Sequence, residues 1–260
     1  MGSKRRRRGL RGHLVKQEFG PINDKISVQL SLQIGALFPP GVVAATLLTD
    51  GDPEMLLPEE RRHLGRAVLK RQQEFAAGRL CARRALQEFG FFGFAVESAP
   101  DRQPIWPPGM VGSITHTRGF CAAVAARRSE VLGLGIDTEE AGRVQAELWP
   151  RICGPEMEWI GQLPETDRSC AATLVFSAKE AFYKCQYALV GEWLGFEDAH
   201  IEVDWRGSEG RFLVHPCRPL KIAEHVVFPQ CGRYLIRDGF VTAGIAASTS
   251  RGPATQSRRT

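Results

Sequence analysis

The segment Gly119–Ala126, GFCAAVAA, returns near the C-terminus as Gly239–Ala247, GFVTAGIAA, with one extra residue. Each copy is a turn glycine, a phenylalanine and a strand of small residues. The echo implies an α+β chain built of two related halves, each with a helix packed on a sheet. The halves are expected at residues 26–134 and 135–248. Residues 1–25 and 249–260 read as disordered tails.

Local patterns fill in the halves. Val42–Leu48 reads as a strand, and Asp50-Gly51-Asp52-Pro53 as a turn. A helical pattern opens at Pro58 with acids in its first turn and stops at Gly90. Gly65 and Gly78 weaken it, so it divides into two helices. Ile114–His116, Phe120–Ala126 and Val131–Ile136 read as strands, and Glu156–Leu163 as a short helix. Ala171–Leu189 is a strong helix. Hairpins are expected for Ile201–Trp205 with Arg211–Val214, and for Tyr234–Arg237 with Phe240–Ala247 around Asp238-Gly239.

Charge and cysteine narrow the class. The net charge is +5, but Lys4, Arg5–Arg8 and Arg11 carry six positives, and without them it becomes −1. The body is mildly acidic between basic tails, so solvated tails are favoured over a nucleic-acid-binding face. A DNA-binding reading would instead place a steeply salt-dependent affinity in residues 1–11. The seven cysteines form no C-x-x-C pair, which fits buried free thiols in a reducing compartment. His215 and Cys217 flank Pro216 without completing a zinc set. The longest apolar run, Ala36–Leu48, is broken at Pro39-Pro40-Gly41 and falls short of the ~20 residues a spanning helix needs. No apolar stretch follows the basic N-terminus as a secretory signal requires. A cytoplasmic protein is expected.

GIDTEE, Gly135–Glu140, places Asp137 and Glu139 on one face of a strand, roughly 6–7 Å apart along the chain. Side-by-side carboxylates disfavour each other unless something compensates them. In TLVFSAKEAFYKCQY, Thr173, Ser177, Glu180 and Lys184 line the face opposite an apolar stripe of Leu174, Val175, Ala178, Ala181, Phe182 and Cys185. Glu180 and Lys184 alone make a surface ion pair worth about 0.3–0.5 kcal/mol. Joined to Asp137 and Glu139, Glu180 makes a third hard oxygen ligand for Mg²⁺, and Lys184 suits a phosphate beside it.

GSITH (residues 112–116), GIDTE (135–139) and FSAKEAFYK (176–184) occur in that order, with EFAAGRLCARRAL (74–86), DRQPIWPPG (101–109) and WLGFEDAHI (193–201). Together they resemble the Sfp-type 4′-phosphopantetheinyl transferases, nearest the branch that serves siderophore and polyketide synthesis. The resemblance covers about residues 40–247. It implies the fold of that family, two similar α/β halves forming a pseudo-dimer within one chain, with coenzyme A at their junction. It implies transfer of 4′-phosphopantetheine from coenzyme A to a serine of an acyl, peptidyl or aryl carrier protein by a monomer. Asp137, Glu139 and Glu180 match the ligands of Mg²⁺, or Mn²⁺ in its place. Glu180 also matches the base, and Lys184 the lysine at the pyrophosphate and the departing 3′,5′-ADP. Arg71, Arg79, Arg102, Thr115, His116 and Lys179 match cofactor-binding positions. The usual tryptophan of W-x-x-K-E is Phe176, and Thr138 should point away from the metal. The alternative is a degenerate relative that binds carrier proteins or coenzyme A without turnover.

Overall fold

The computed structural model describes residues 21–221, 226–227 and 230–249. The fold is α+β with two antiparallel sheets. The first sheet has strand order β1-β3-β2, from β1 (Val43–Leu47), β2 (Met110–Thr117) and β3 (Phe120–Arg127). The second runs β4-β9-β8-β6-β5, from β4 (Gly133–Glu140), β5 (Ala199–Asp204), β6 (Glu209–Pro216), β8 (Cys231–Arg237) and β9 (Phe240–Thr249), with the short β7 (Val226–Val227) pairing β9. Among the described residues no helix is long and apolar enough to cross a membrane.

The alanine-rich β3 is buried on both faces, which explains its small side chains. Cys121, Ala123 and Ala125 pack under helix α3 (Leu69–Gln87) through Ala77, Cys81, Ala82 and Ala85. Ala122, Val124 and Ala126 face the opposite way, toward Ile34, Phe38, Leu134 and Ile136. That second core joins the sheets, because Leu134 and Ile136 belong to β4. Ile34 comes from a helix, α1 (Pro21–Gly35), that the sequence patterns did not reveal. Its start at Pro21 corrects the expected disorder as far as residue 25. Residues 1–20 and 250–260 lie outside the described residues.

The helical pattern from Pro58 does divide, into α2 (Pro58–Arg61) and α3, with Gly65 at φ +53° between them. Gly78 does not break α3; a Cβ there would stand 3.1 Å from Ile114. In the second half, α4 (Trp149–Cys153) and α5 (Glu156–Gln162) precede the 26-residue helix α6 (Glu165–Val190). Helix α6 starts earlier than expected, with Glu165 and Asp167 in its first turn, where carboxylates suit the helix dipole. It lies across β4 and β9 on a core of Val175, Ala178, Phe182, Val241, Ala243 and Ile245.

Two features bring β4 into position. Gly135 faces α6, where a Cβ would stand 1.8 Å from the Ala181 carbonyl oxygen, so only glycine lets strand and helix meet this closely. The free edge of β4 runs beside β2 without a backbone ladder. Instead, the Ile136 and Thr138 N–H groups donate to Ser113 Oγ (3.2 Å) and Thr115 Oγ1 (2.8 Å). Alternate hydroxyls of β2 thus satisfy buried amides that would otherwise be costly. All seven cysteines are free thiols, four of them buried.

Candidate active site

The expected β4 strand shifts to Gly133–Glu140, which puts GIDTEE inside it. Asp137 and Glu139 leave the face toward α6. Thr138, fully buried on the other face, meets Thr242 Oγ1 at 3.0 Å and so points away from both carboxylates. Asp137 is 5% exposed and is compensated by α6: Lys184 Nζ donates to Oδ1 at 2.7 Å and Ser177 Oγ to Oδ2 at 2.8 Å. Lys184 Nζ also donates to the Ile136 carbonyl at 3.1 Å. The polar stripe of α6 is therefore turned inward onto β4.

Glu139 has weaker support, from Arg143 Nε at 3.1 Å and Thr117 Oγ1 at 3.4 Å. Desolvation, then the Asp137 charge, pushes its pKa up to about 7. Desolvation also raises Glu180, with Lys184 opposing and Asp137 adding to the rise. The charges of Asp137 and Lys184 therefore reach both glutamates. The Glu180 side chain makes no hydrogen bond among the described residues and lines the cleft described below.

The basic candidates divide. Arg71, on α3, donates to His116 Nε2 at 3.1 Å, so the ring acts there as a neutral acceptor. Desolvation, with Arg71 and Lys184 helping against Glu74 and Asp137, lowers the His116 pKa. Arg79 is 6% exposed, donates to Ser98 Oγ at 2.6 Å and lies 4.1 Å over the Phe75 ring. Its buried Nε has no partner among the described residues. Burial lowers its pKa to about 10. A desolvated guanidinium with one N–H left unpaired is suited to an anion. Arg71 and Arg79 do not share one point, since each already turns to a different partner. Arg102 sits at φ +72° on the cleft rim, exposed.

Two expected cofactor contacts are corrected. Lys179 is 1% exposed and points into the second half, where Nζ donates to Ile152 O and Phe196 O at 2.9 Å each and lies 3.3 Å from Glu156 Oε1. One residue along a helix is about 100° around it, so the neighbour of Glu180 faces elsewhere. Thr115 is 2% exposed; its hydroxyl is engaged in the β2–β4 seam, on the opposite face of β2 from His116.

Glu180 and Lys184 open onto a cleft of about 570 Å³ between the sheets. One wall is Trp106, Gly112 and Ile114 from the first half; the other includes Leu134, Tyr183, Leu194 and Phe196. A binding site made of an apolar trough with a few convergent charges is the usual form for a small-molecule ligand.

Comparison with known proteins decides the family. Residues 59–126 match the 4′-phosphopantetheinyl transferase N-terminal domain, and residues 133–228 match the 4′-phosphopantetheinyl transferase superfamily. The 4′-phosphopantetheinyl transferase Npt of Nocardia iowensis is 34% identical over 82% of this chain and 99% of its own length. The 4′-phosphopantetheinyl transferase Svp of Streptomyces mobaraensis is 36% identical over 86% of this chain and 93% of its own. The 4′-phosphopantetheinyl transferase PptT of Mycobacterium tuberculosis is 38% identical over 66% of this chain and 81% of its own. The chain belongs to the 4′-phosphopantetheinyl transferase family.

In this transferase the acidic set fits a hard divalent cation in kind, being entirely carboxylate oxygen. Among the described residues, however, no three such side chains stand close enough together to hold a metal ion. Lys184, not a third carboxylate, compensates Asp137 here. Sequence reasoning missed the direct part of Ser177 and the β2 hydroxyls. The alternation Ser113, Thr115, Thr117 was the available signal.

The raised Glu139 pKa has a testable sign. Between its ordinary value near 4.5 and about 7, the folded protein keeps a proton that the unfolded chain has released. Its contribution to stability therefore falls as pH rises through that window. Without added metal, Glu139→Gln is expected to be more stable than the parent at pH 8 by about 1–3 kcal/mol, and equal to it near pH 4. Thermal melts at both pH values check this; an equal shift at both would contradict it.

Proposed function

We propose that this transferase moves the 4′-phosphopantetheine group of coenzyme A to a serine of an acyl, peptidyl or aryl carrier protein. The observation that carries the reading is the Asp137–Lys184–Glu180 cluster at the mouth of the cleft between the two sheets. The serine oxygen attacks the phosphorus that bears the pantetheine arm. Glu180, unpaired and with a raised pKa, takes the hydroxyl proton. The bond to the second phosphate breaks, and Lys184 stabilises the charge that develops on departing 3′,5′-ADP. His116, Arg71 and the free Nε of Arg79 lie toward the nucleotide end, with Arg102 on the rim.

Asp137, Glu139 and Glu180 supply the carboxylates that would hold a divalent cation, Mg²⁺ or Mn²⁺, once drawn closer together than they stand here. When bound, it would neutralise diphosphate charge and the Asp137 repulsion that adds to the desolvation raising both glutamates. We also read the two sheet-and-helix halves as a pseudo-dimer within one chain. Each half supplies one wall of the cleft, so a monomer suffices, and the donor and its carriers place it in the cytoplasm.

The test is incubation with coenzyme A, Mg²⁺ and a panel of apo-carrier domains, read by intact mass. A carrier gaining the phosphopantetheine mass, with the gain abolished by Glu180→Gln, is the expected result. Tight coenzyme A or carrier binding with no mass gain across the panel would favour a binding module instead.

A further inference from the structure

Helix α6 carries a second row of functional side chains beside Glu180 and Lys184. Lys179, Tyr183 and Gln186 are spaced four and three residues apart and so share a face. Each donates to a backbone carbonyl of the segment that follows the helix. Lys179 Nζ reaches Phe196 O at 2.9 Å, Tyr183 Oη reaches Gly195 O at 2.5 Å and Gln186 Nε2 reaches Glu192 O at 2.7 Å. The order is antiparallel, so the segment is laced back along its own helix.

The lace has supports at both ends and on its outer side. Gly191 ends α6 at φ +69°, which lets the chain reverse. Arg218 donates to Trp193 O at 3.0 Å, Glu192 Oε2 at 2.9 Å and Asp198 Oδ1 at 3.2 Å. Leu194 is turned into the core. Residues 191–197 thus form a strap, and Trp193, Leu194, Gly195 and Phe196 line the cleft with it. Lys179 is not part of the lining. It is fully enclosed, with Glu156 as its countercharge.

We propose that this strap is the positioning device for the pantetheine arm of the donor, and that Lys179, Tyr183 and Gln186 set its spacing. The inference rests on the placing of coenzyme A in the junction cleft. The groups suited to phosphates, Lys184, His116, Arg71 and Arg79, come from the β4–α6 contact and the β2–α3 side. What remains for the uncharged end of the donor is the trough walled by Trp106, Ile114, Leu194 and Phe196. A trough whose far wall is a loop keeps its width only if that loop is held. Lys179 therefore acts on the arm through the strap and touches no phosphate. It is a positioning residue.

Lys179→Met would leave Glu156 buried without its countercharge, which makes it a probe of folding. Tyr183→Phe combined with Gln186→Met removes two laces while keeping ring and stem volume. Both residues also line the cleft, so Arg218→Met, which loosens the same strap from outside the lining, is measured beside it and should act alike. Calorimetry on the full chain would compare coenzyme A with 3′,5′-ADP, which shares the nucleotide and lacks the arm. Loss of two hydrogen bonds is expected to weaken coenzyme A about tenfold. The affinity for 3′,5′-ADP should stay at the parental value, the melting temperature should fall by only a few degrees for the two lost intramolecular bonds, and KM for coenzyme A should rise more than kcat falls. Equal weakening of both ligands would mean general damage and would overturn the proposal, as would unchanged coenzyme A affinity. Equal affinity of the parent protein for both ligands would also overturn it, while the carrier mass assay judges transfer separately.

Discussion

Lys184→Ala is expected to lower kcat/KM for transfer by about 10²–10³-fold, the usual effect of removing one group that stabilises transition-state charge. Lys184 Nζ is 2.7 Å from Asp137 Oδ1, and its side chain remains 32% exposed. It can therefore meet a ligand while balancing a carboxylate that is 7% exposed. The substitution has a second consequence. Asp137 keeps Ser177 and a weak Thr115 contact as donors, and its charge then acts on Glu180 without the opposing lysine and on Glu139 against Arg143 alone. Stability should fall by about 1–3 kcal/mol, because a buried charge has lost its partner. The two effects separate in Asp137→Asn combined with Lys184→Met. That variant should recover much of the melting temperature and none of the activity. Recovery of transfer along with stability would mean that Lys184 matters only to folding.

Gly135→Ala should be among the most damaging single-methyl additions in the chain. The new Cβ would stand 1.8 Å from the Ala181 carbonyl oxygen and 3.0 Å from Cys185 Cβ. The obstacle is helix backbone, so rotamer changes cannot relieve it. Either β4 or α6 must move, and Asp137 then loses register with Ser177 and Lys184. Overpacking of this kind costs about 3 kcal/mol or more when backbone must shift. Thermal melts should show the loss, and activity per folded molecule should fall with it. Gly161→Ala is the matched control, since a Cβ there meets nothing within 4 Å. Equal melting temperatures for the two variants would contradict the close strand–helix approach.

The legible part of the site was the part written in side-chain spacing. Asp137 and Glu139 alternate on a strand, and Ser177, Glu180 and Lys184 fall on one helix face, so their meeting could be anticipated. Lys179 could not be placed that way. Motif order puts it next to Glu180, but helix geometry turns it into the Glu156 pocket. Thr115 failed for the matching reason on a strand, where neighbours of His116 face the opposite side. Helix α1 left little trace because Ile26, Val28 and Leu32 are exposed while Ser27 and Ile34 are buried, which blurs any apolar stripe. The strap was invisible because its acceptors are backbone carbonyls, which any sequence supplies. The turn-glycine strands were readable, and burial of β3 on both faces explains their composition.

The most direct measurement is a crystal structure of the full chain with coenzyme A and Mg²⁺. The account predicts the diphosphate within hydrogen-bond distance of Lys184 Nζ, beside Asp137, Glu139 and Glu180, with the pantetheine arm against residues 193–196. A diphosphate bound elsewhere, with Lys184 still paired only to Asp137, would contradict it.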